Sequence, residues 1–172
     1  MTYRTKTYIA GDWDNDKEIV DKLYEWKKSN YWTLDFVDAH ELTQAKDSSL
    51  NCSIKKSLKE RLDASKTCVL IVGEHTNSLT KGGCLLCSSY NSWTSHCARN
   101  YSVDHRSYVR YECDKAVEAD LNIIVIYNAK TVNKNKCPES VRYTGIHVPA
   151  FYTGTDGKTY WNYTKIRDAI MN

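Results

Sequence analysis

The sequence predicts an α/β fold, in which a central parallel sheet of four to five strands carries helices on both faces. Strand-like and helical segments alternate along the chain, and residues 67–73 and 122–127 are continuous apolar runs. Unbroken apolar runs are typical of strands that a parallel sheet buries on both faces. Alternation of this kind forms βαβ units, whose strands lie side by side and point the same way.

The first half of the chain contains three predicted strands and two predicted helices. A β-prone run starts at residue 7 and ends at Gly11 and an acidic loop. Apolar residues recur at helical spacing over 16–28, and either Asp14 or Asn15 can cap the start of this helix. Residues 34–38 are predicted to form the second strand. A polar loop follows, and a helix over 53–65 leads into the third strand, at 67–73.

The second half begins with an interruption. Residues 74–105 show no clear periodicity, and loops of that length in a compact domain are normally functional or held in place by other groups. A helix over 106–119 and the strand 122–127 restore the alternation. A weak strand at 146–151 and a closing helix at 163–171 complete the pattern. We predict a single domain over 1–172, with a Cys-rich insertion at about 80–105, because the length fits one domain.

Composition and charge exclude several classes of protein. The 24 Lys and Arg residues are evenly mixed with 21 Asp and Glu residues, and the net charge of +3 is too small for the basic stripe of a nucleic-acid binder. No run approaches the ~18 apolar residues that cross a bilayer, and the first ten residues lack the apolar core of a signal peptide. We therefore expect a cytoplasmic protein that binds neither nucleic acid nor membrane.

Neither the G-x-G-x-x-G nor the G-x-x-x-x-G-K-[ST] phosphate motif follows any predicted strand. The acidic loop 11–16 does follow the first strand, where α/β folds collect ligand contacts. Its oxygen-rich side chains suit a hard cation, but the remainder of a calcium loop is missing. We favour one residue of the loop as a helix cap and the others as the lining of a polar cleft. Asp38 and His40 follow the second strand at the same edge of the sheet.

Cysteine spacing gives the best metal signal in the chain. The seven cysteines are an odd number, and without a secretory signal they indicate thiols or metal ligands before disulfides. Cys84 and Cys87 have the spacing of half a tetrahedral zinc site, Cys97 adds a third thiolate, and Cys113, His96 or His105 can supply the fourth ligand. We predict a structural zinc on Cys84, Cys87, Cys97 and Cys113. The alternative is a flexible loop with free thiols.

Tyr108 and Glu112 lie four residues apart, so a helix places them on one face, one turn from each other. The ring can stack on a flat group and the carboxylate can lie beside the sugar of that group. Alternatively, Tyr108 packs against the sheet and Glu112 complements the positive end of the helix dipole. Spacing alone favours this second interpretation.

Three segments, in this order, resemble a known family. They are V-D-A-H at residues 37–40, C-V-L-I-V-G-E-H-T at 68–76, and S-Y-V-R-Y-E-C-D-K-A-V-E-A at 107–119. Together with their surrounding strands they resemble bacterial TIR-like domains over roughly residues 5–128, and most of all the ThsB-type TIR proteins of Thoeris anti-phage defence systems. The resemblance implies a flavodoxin-like TIR fold. It assigns no role to the Cys-rich insertion.

Enzymatic TIR domains cleave the nicotinamide N-glycosidic bond of NAD⁺ with a glutamate on the helix after the third strand, often within W-x-x-x-E. Here Tyr108-x-x-x-Glu112 occupies that place, with Tyr instead of Trp, so the resemblance implies that Glu112 is catalytic. It also implies an NAD⁺ cleft lined by two loops and the start of this helix. The implied substrate-binding residues are Gly11, Asp12, Trp13, Asn15, Asp38, His40, Ser48 and Tyr108.

The implied chemistry suits a single carboxylate. Loss of nicotinamide leaves an oxocarbenium-like ribose, which a nearby carboxylate stabilises. Attack by water gives ADP-ribose, attack by a group of the same molecule gives a cyclic ADP-ribose isomer, and attack by an amino acid gives a conjugate. The resemblance therefore implies an NAD⁺ glycohydrolase or ADP-ribosyl cyclase that responds to a phage trigger, assembles into homo-oligomers and activates a partner effector through a nucleotide messenger.

Two other classes compete with this enzyme. The first is a catalytically silent TIR-like module that acts through assembly with other proteins. The second is a receiver domain of the response-regulator type, which the acidic loop superficially resembles. A receiver requires a lysine at the end of a late strand, where this chain has Tyr127 and Asn128.

Overall fold

A computed structural model describes residues 4–38 and 50–172 of the chain. Five parallel strands form its central sheet, in the spatial order β2–β1–β3–β6–β7. The strands of this sheet are β1 (Lys6–Ala10), β2 (Val37–Asp38), β3 (Ser65–Val72), β6 (Asn122–Tyr127) and β7 (Ile146–Pro149), and the helices are α1 (Lys17–Lys28), α2 (Asn51–Asp63), α3 (Tyr108–Glu118) and α4 (Tyr163–Met171). Two short hairpins, β4 (Tyr90–Asn91) with β5 (His96–Cys97) and β8 (Phe151–Thr153) with β9 (Thr159–Trp161), lie outside the sheet.

The alternation of side chains along β3 explains why helices cover both faces of the sheet. Cys68, Leu70 and Val72 point into a buried cluster that α2 and α3 cover. Val69 and Ile71 point the other way, into a cluster that α1 and α4 cover. Because both sets are apolar, the strand is stable only when each face is shielded from water. The structure thus confirms the predicted parallel α/β fold of the flavodoxin-like TIR type.

The order of the strands determines where a ligand can bind. The chain leaves β1 towards β2 at one edge of the sheet, and it returns to place β3 on the other side of β1. The connections that follow β1 and β3 therefore diverge, which opens a crevice at the carboxyl ends of these strands. Open α/β sheets bind their ligands at such switch points.

Several predicted boundaries need correction. The second strand, predicted over 34–38, comprises only Val37–Asp38; Leu34 and Phe36 precede it and are buried in the apolar cluster on the α1 face. The residue at the N-cap position of α1 is Asp16, instead of Asp14 or Asn15, and its side chain makes no capping hydrogen bond. Helix α3 starts at Tyr108 because the Ser107 hydroxyl accepts a hydrogen bond from the backbone N–H of Arg110.

The segment between β3 and α3 is held to the body of the domain by hydrogen bonds. It contains short 3₁₀ turns and the hairpin of β4 and β5. The backbone N–H of Cys84 donates to the carbonyl of Asp104 over 2.9 Å, and that of Tyr108 donates to the carbonyl of Lys81 over 2.9 Å. The Lys55 ammonium of α2 donates to the carbonyl of Arg106 over 2.7 Å. These contacts order both ends of the segment.

Across residues 4–38 and 50–172, no helix is both long and apolar enough to pass through a membrane.

Candidate active site

A cleft of about 280 Å³ opens at the carboxyl ends of β1 and β3 and extends between α2 and α3. The loop after β1, the inner faces of the two helices and part of the segment after β3 form its walls. Its lining comprises Gly11, Asp12, Trp13, Asp14, Ile54, Leu58, Arg61, Leu79, Lys81, Ser107, Tyr108, Val109 and Glu112. The cleft therefore lies at the switch point of the sheet, where a ligand site is expected.

Glu112 lies in the second turn of α3 and faces the cleft with only 7% of its surface exposed. The Tyr8 hydroxyl of β1 donates a short hydrogen bond to Glu112 Oε1. Burial raises the pKa of Glu112 to about 7, although the Tyr8 hydrogen bond and the positive charge of Arg61 both lower it. Close to neutral pH, this carboxyl group exists as a mixture of the protonated and ionised forms.

Tyr108 forms a fixed wall of the cleft. Its hydroxyl donates to Asn51 Oδ1 at the start of α2 over 2.9 Å. Its ring packs on Gly82, where an added Cβ would lie 2.6 Å from the ring. Gly82 also has a backbone φ of +103°, which residues with a Cβ rarely adopt. The ring of Tyr108 thus joins α3 to α2 and to the segment after β3, and it lines the cleft one turn from Glu112.

The loop after β1 brings Gly11, Asp12 and Trp13 to the cleft, as the resemblance implies. Asp12 organises this loop, because its carboxylate accepts hydrogen bonds from the Asn15 side chain over 2.5 Å and from the Asp14 backbone over 3.2 Å. Asn15 is not part of the cleft lining and instead holds Asp12 in place.

Asp16 is a buried carboxylate behind this loop. It accepts a hydrogen bond from the Asn128 side chain, at the end of β6, over 2.9 Å. A Cβ added to Gly73 would lie 2.2 Å from Asp16 Oδ1, so the end of β3 must carry a glycine for this carboxylate to fit. Burial raises the pKa of Asp16. These contacts tie the first turn of α1 to the ends of two strands.

The remaining residues predicted to bind substrate lie elsewhere. Asp38 is buried at the end of β2, where the Tyr24 hydroxyl of α1 donates a hydrogen bond to it. Asp38 is not among the cleft-lining residues that the structure describes. His40 and Ser48 lie outside the described residues.

The four cysteines predicted to bind zinc are not brought together. Cys113 is buried in the apolar cluster beneath α3, whereas Cys84, Cys87 and Cys97 are half-buried in the segment after β3. The sulfur of Cys84 accepts a hydrogen bond from the Asp104 backbone over 3.1 Å. Within the two described ranges, no three His, Cys, Asp or Glu side chains form a group that could hold a metal ion. The geometry does not support the predicted site.

Sequence reasoning missed Tyr8 and Arg61, the two groups that influence the pKa of Glu112. A signal for Arg61 was present: it lies seven residues after Ile54, on the same helical stripe as Leu58. A charged residue on the buried stripe of a helix requires a polar partner or a cleft. Tyr8 gives no such signal, because a tyrosine in a buried strand is equally consistent with simple packing.

A five-stranded parallel sheet with helices on both faces places the chain in the flavodoxin-like α/β class, and a buried carboxylate lies on the helix that follows β3. Residues 8–81 match the family model described as Thoeris protein ThsB, TIR-like domain. This match supports a ThsB-like TIR domain in the first half of the chain. A comparison with curated proteins found no match. The matched stretch includes the loop after β1 and helix α2, and it ends before Glu112.

Proposed function

We propose that the protein is an NAD⁺-cleaving enzyme of anti-phage defence, and that the cleft binds the nicotinamide end of NAD⁺ beside Glu112. The observation that carries this proposal is a buried carboxyl group, with a raised pKa, in a cleft at the switch point of the sheet. Strongly shifted carboxyl groups in clefts are typical of functional sites. The match of residues 8–81 to the ThsB TIR-like domain also supports the proposal of an anti-phage defence enzyme.

The proposed reaction breaks the bond between the anomeric carbon of ribose and the nicotinamide nitrogen. The electron pair of that bond moves to the nitrogen and neutralises its positive charge, so nicotinamide leaves without a proton donor. The ribose becomes an oxocarbenium ion, which the ionised Glu112 carboxylate stabilises. Addition of water, with loss of one proton, gives ADP-ribose. Attack by a nucleophile within the same molecule gives a cyclic isomer, and attack by an amino acid gives a conjugate.

In this proposal the product is a messenger that activates a partner effector after a phage trigger. Trp13 and Tyr108 provide aromatic surface on two walls of the cleft, where the flat nicotinamide ring can pack. Lys81 also lines this cleft, where its ammonium group lies 3.9 Å from the Asp14 carboxylate.

The burial of Glu112 favours a second candidate, a catalytically silent assembly module. The carboxyl group is almost fully enclosed and already accepts a hydrogen bond from Tyr8. In a silent module this pair would serve only to join β1 to α3. The two candidates differ in whether the cleft reacts with NAD⁺.

Nicotinamide release, followed by chromatography, separates the two candidates. Wild-type protein and Glu112→Gln are incubated with NAD⁺, with and without extract from phage-infected cells. We expect release by the wild type and a loss of about 100-fold or more in Glu112→Gln, because the charge that stabilises the cation is gone. Glu118→Gln is the matched control, since Glu118 is exposed at the far end of the same helix.

An unchanged rate in Glu112→Gln contradicts the role of Glu112. A wild type that releases no nicotinamide under either condition identifies the protein as a silent module.

A further inference from the structure

A second cleft, of about 690 Å³, lies on the other side of the first turn of α3. Three arginines and a histidine line it, against a single carboxylate: Arg106, Arg110, Arg142, His105 and Glu139. This arginine cleft is formed by the segment after β3, the start of α3 and the turn at 139–142. Its lining therefore carries an excess of positive charge.

The three arginines are not equivalent. Arg106 donates hydrogen bonds to Asp114 over 2.8 Å and to Asp104 over 2.9 Å, so its charge is neutralised within the domain. Neither Arg110 nor Arg142 has an ion pair with any residue in 4–38 or 50–172. These two guanidinium groups supply the net charge of the cleft.

The wall that contains Arg142 has unsatisfied polar atoms. Among the described residues, the buried side-chain atoms without a hydrogen-bond partner are Ser140 Oγ and Arg142 Nε. Both belong to the same short turn. A buried donor without an acceptor is costly, and such groups in native proteins call for a physical explanation. An anion bound at Arg142 provides one, because a guanidinium presents several donors to phosphate oxygens in a fixed fork.

The arginine cleft is adjacent to the cleft of Glu112. Leu79 and Ser107 line both of them. Ser107 precedes Glu112 by five residues, which is about 7.5 Å along a helix. Arg110 precedes Glu112 by two residues, so the two side chains leave the helix about 200° apart and face different clefts. A ligand that extends from one cleft to the other must cross the amino end of α3, where the helix dipole favours negative charge.

We propose that the arginine cleft binds phosphate groups, and that Arg110 and Arg142 hold the diphosphate of the dinucleotide whose nicotinamide end lies beside Glu112. This inference rests on the proposed function for the identity of the ligand. Arg110 and Arg142 are then specificity-determining residues, because they distinguish a substrate that carries a diphosphate from one that carries none.

The first test measures binding without catalysis. Isothermal titration calorimetry with inorganic pyrophosphate is applied to the wild type, Arg110→Gln, Arg142→Lys and Arg99→Gln. We expect binding by the wild type, about tenfold weaker binding when either cleft arginine is changed, and wild-type binding in Arg99→Gln, which removes an exposed arginine of the insertion. Arg110 is exposed, so its replacement leaves the fold intact. No binding by the wild type, or equal binding by all four proteins, overturns the proposal.

The second test identifies the ligand. Displacement of pyrophosphate by NAD⁺, together with a KM for NAD⁺ that rises about tenfold in Arg110→Gln while KM for nicotinamide riboside stays constant, supports the proposal. Pyrophosphate binding that NAD⁺ does not displace overturns the assignment to a dinucleotide. If the wild type releases no nicotinamide but NAD⁺ still displaces pyrophosphate, the proposed function fails and the diphosphate site stands.

Discussion

At the scale of single residues, the chemistry of the cleft depends on whether Glu112 carries a charge. Burial favours the neutral form, whereas the Tyr8 hydroxyl and the charge of Arg61 favour the ionised form. The result is a pKa of about 7, above the ordinary value of 4.5. Only the ionised form stabilises an oxocarbenium ion. Small changes around this group should therefore have measurable effects on both activity and stability.

The rate of nicotinamide release should increase with pH through about 7, because the ionised fraction of Glu112 increases over that interval. Tyr8→Phe removes a hydrogen bond that favours the ionised form, so the midpoint of the profile should move to higher pH. The measurement is kcat/KM between pH 5.5 and 9. Tyr160→Phe, which removes an exposed hydroxyl on β9, is the control and should leave the midpoint unchanged. A flat profile would assign the chemistry to another group.

Stability should show the opposite dependence on pH. Because the pKa of Glu112 is higher in the folded state than in the unfolded chain, its contribution is complete below about 4.5 and is lost as pH rises through about 7. Glu112→Gln has no such loss, so its free energy of unfolding should improve relative to the wild type by up to about 3 kcal/mol between pH 5 and pH 8. Urea denaturation at pH 5 and pH 8 measures this change. The prediction is contradicted if the wild type and Glu112→Gln differ in free energy of unfolding by the same amount at both pH values.

Only part of the candidate site could be predicted from the sequence. The loop at 11–13 was predicted from its place after the first strand, whereas Glu112 and Tyr108 were predicted through the resemblance to TIR-like domains, because their spacing alone favoured a structural role. Arg142 could not be found in this way, because it lies 32 residues from Arg110 and only the packing of the turn at 139–142 against α3 brings the two arginines to one cleft.

At the scale of secondary-structure elements, Lys55 joins helix α2 to the end of the segment after β3. Its ammonium group is almost fully buried, donates to the carbonyls of Arg106 and Asp104, and lies 3.5 Å from the Asp104 carboxylate. The first residues of α3 follow directly. The position of Tyr108 in the cleft therefore depends on this lysine, although Lys55 does not line the cleft.

Lys55→Met should lower the free energy of unfolding by about 2 kcal/mol, because it removes charged hydrogen bonds from buried carbonyl groups. Urea denaturation, followed by circular dichroism, measures the change. Lys56→Met is the matched control, since Lys56 is the next residue of α2 and is exposed. An equal free energy of unfolding for Lys55→Met and Lys56→Met would show that the segment after β3 is held by its backbone hydrogen bonds alone.

The elements themselves were predicted more completely than the site. Apolar runs and helical stripes are strong signals, and they located the long strands and all four helices of the described chain. The hairpin of β8 and β9 was missed because its strands are three residues each and largely exposed, so burial left no alternating pattern. Gly154 and Gly157 lie between these strands and were the available turn signal.

At the scale of the whole molecule, the sheet separates two apolar clusters, and the cysteines are distributed unevenly between buried and accessible positions. Cys68, Cys113 and Cys137 are buried in the cluster under α2 and α3, and burial raises the pKa of each thiol. Cys52, Cys84, Cys87 and Cys97 are half-buried.

Titration of native protein with a thiol reagent should therefore show four reactive cysteines, and all seven should react after unfolding in guanidinium. The absorbance of the released thiolate measures both numbers. Prior treatment with a chelator should leave the number of reactive cysteines in native protein at four, because the three half-buried cysteines of the insertion, all within the described residues, do not form a group that could hold a metal ion. An increase on chelation would restore the zinc hypothesis.

The same separation by the sheet divides the tryptophans. Trp26, Trp32 and Trp161 pack together on the face of α1 and α4, and Trp93 is 96% exposed in the insertion. Trp13 alone among the five lines the cleft of Glu112, with 42% of its surface exposed. Its indole thus gives the protein a built-in fluorophore at the cleft of Glu112, whose emission should respond when a ligand enters.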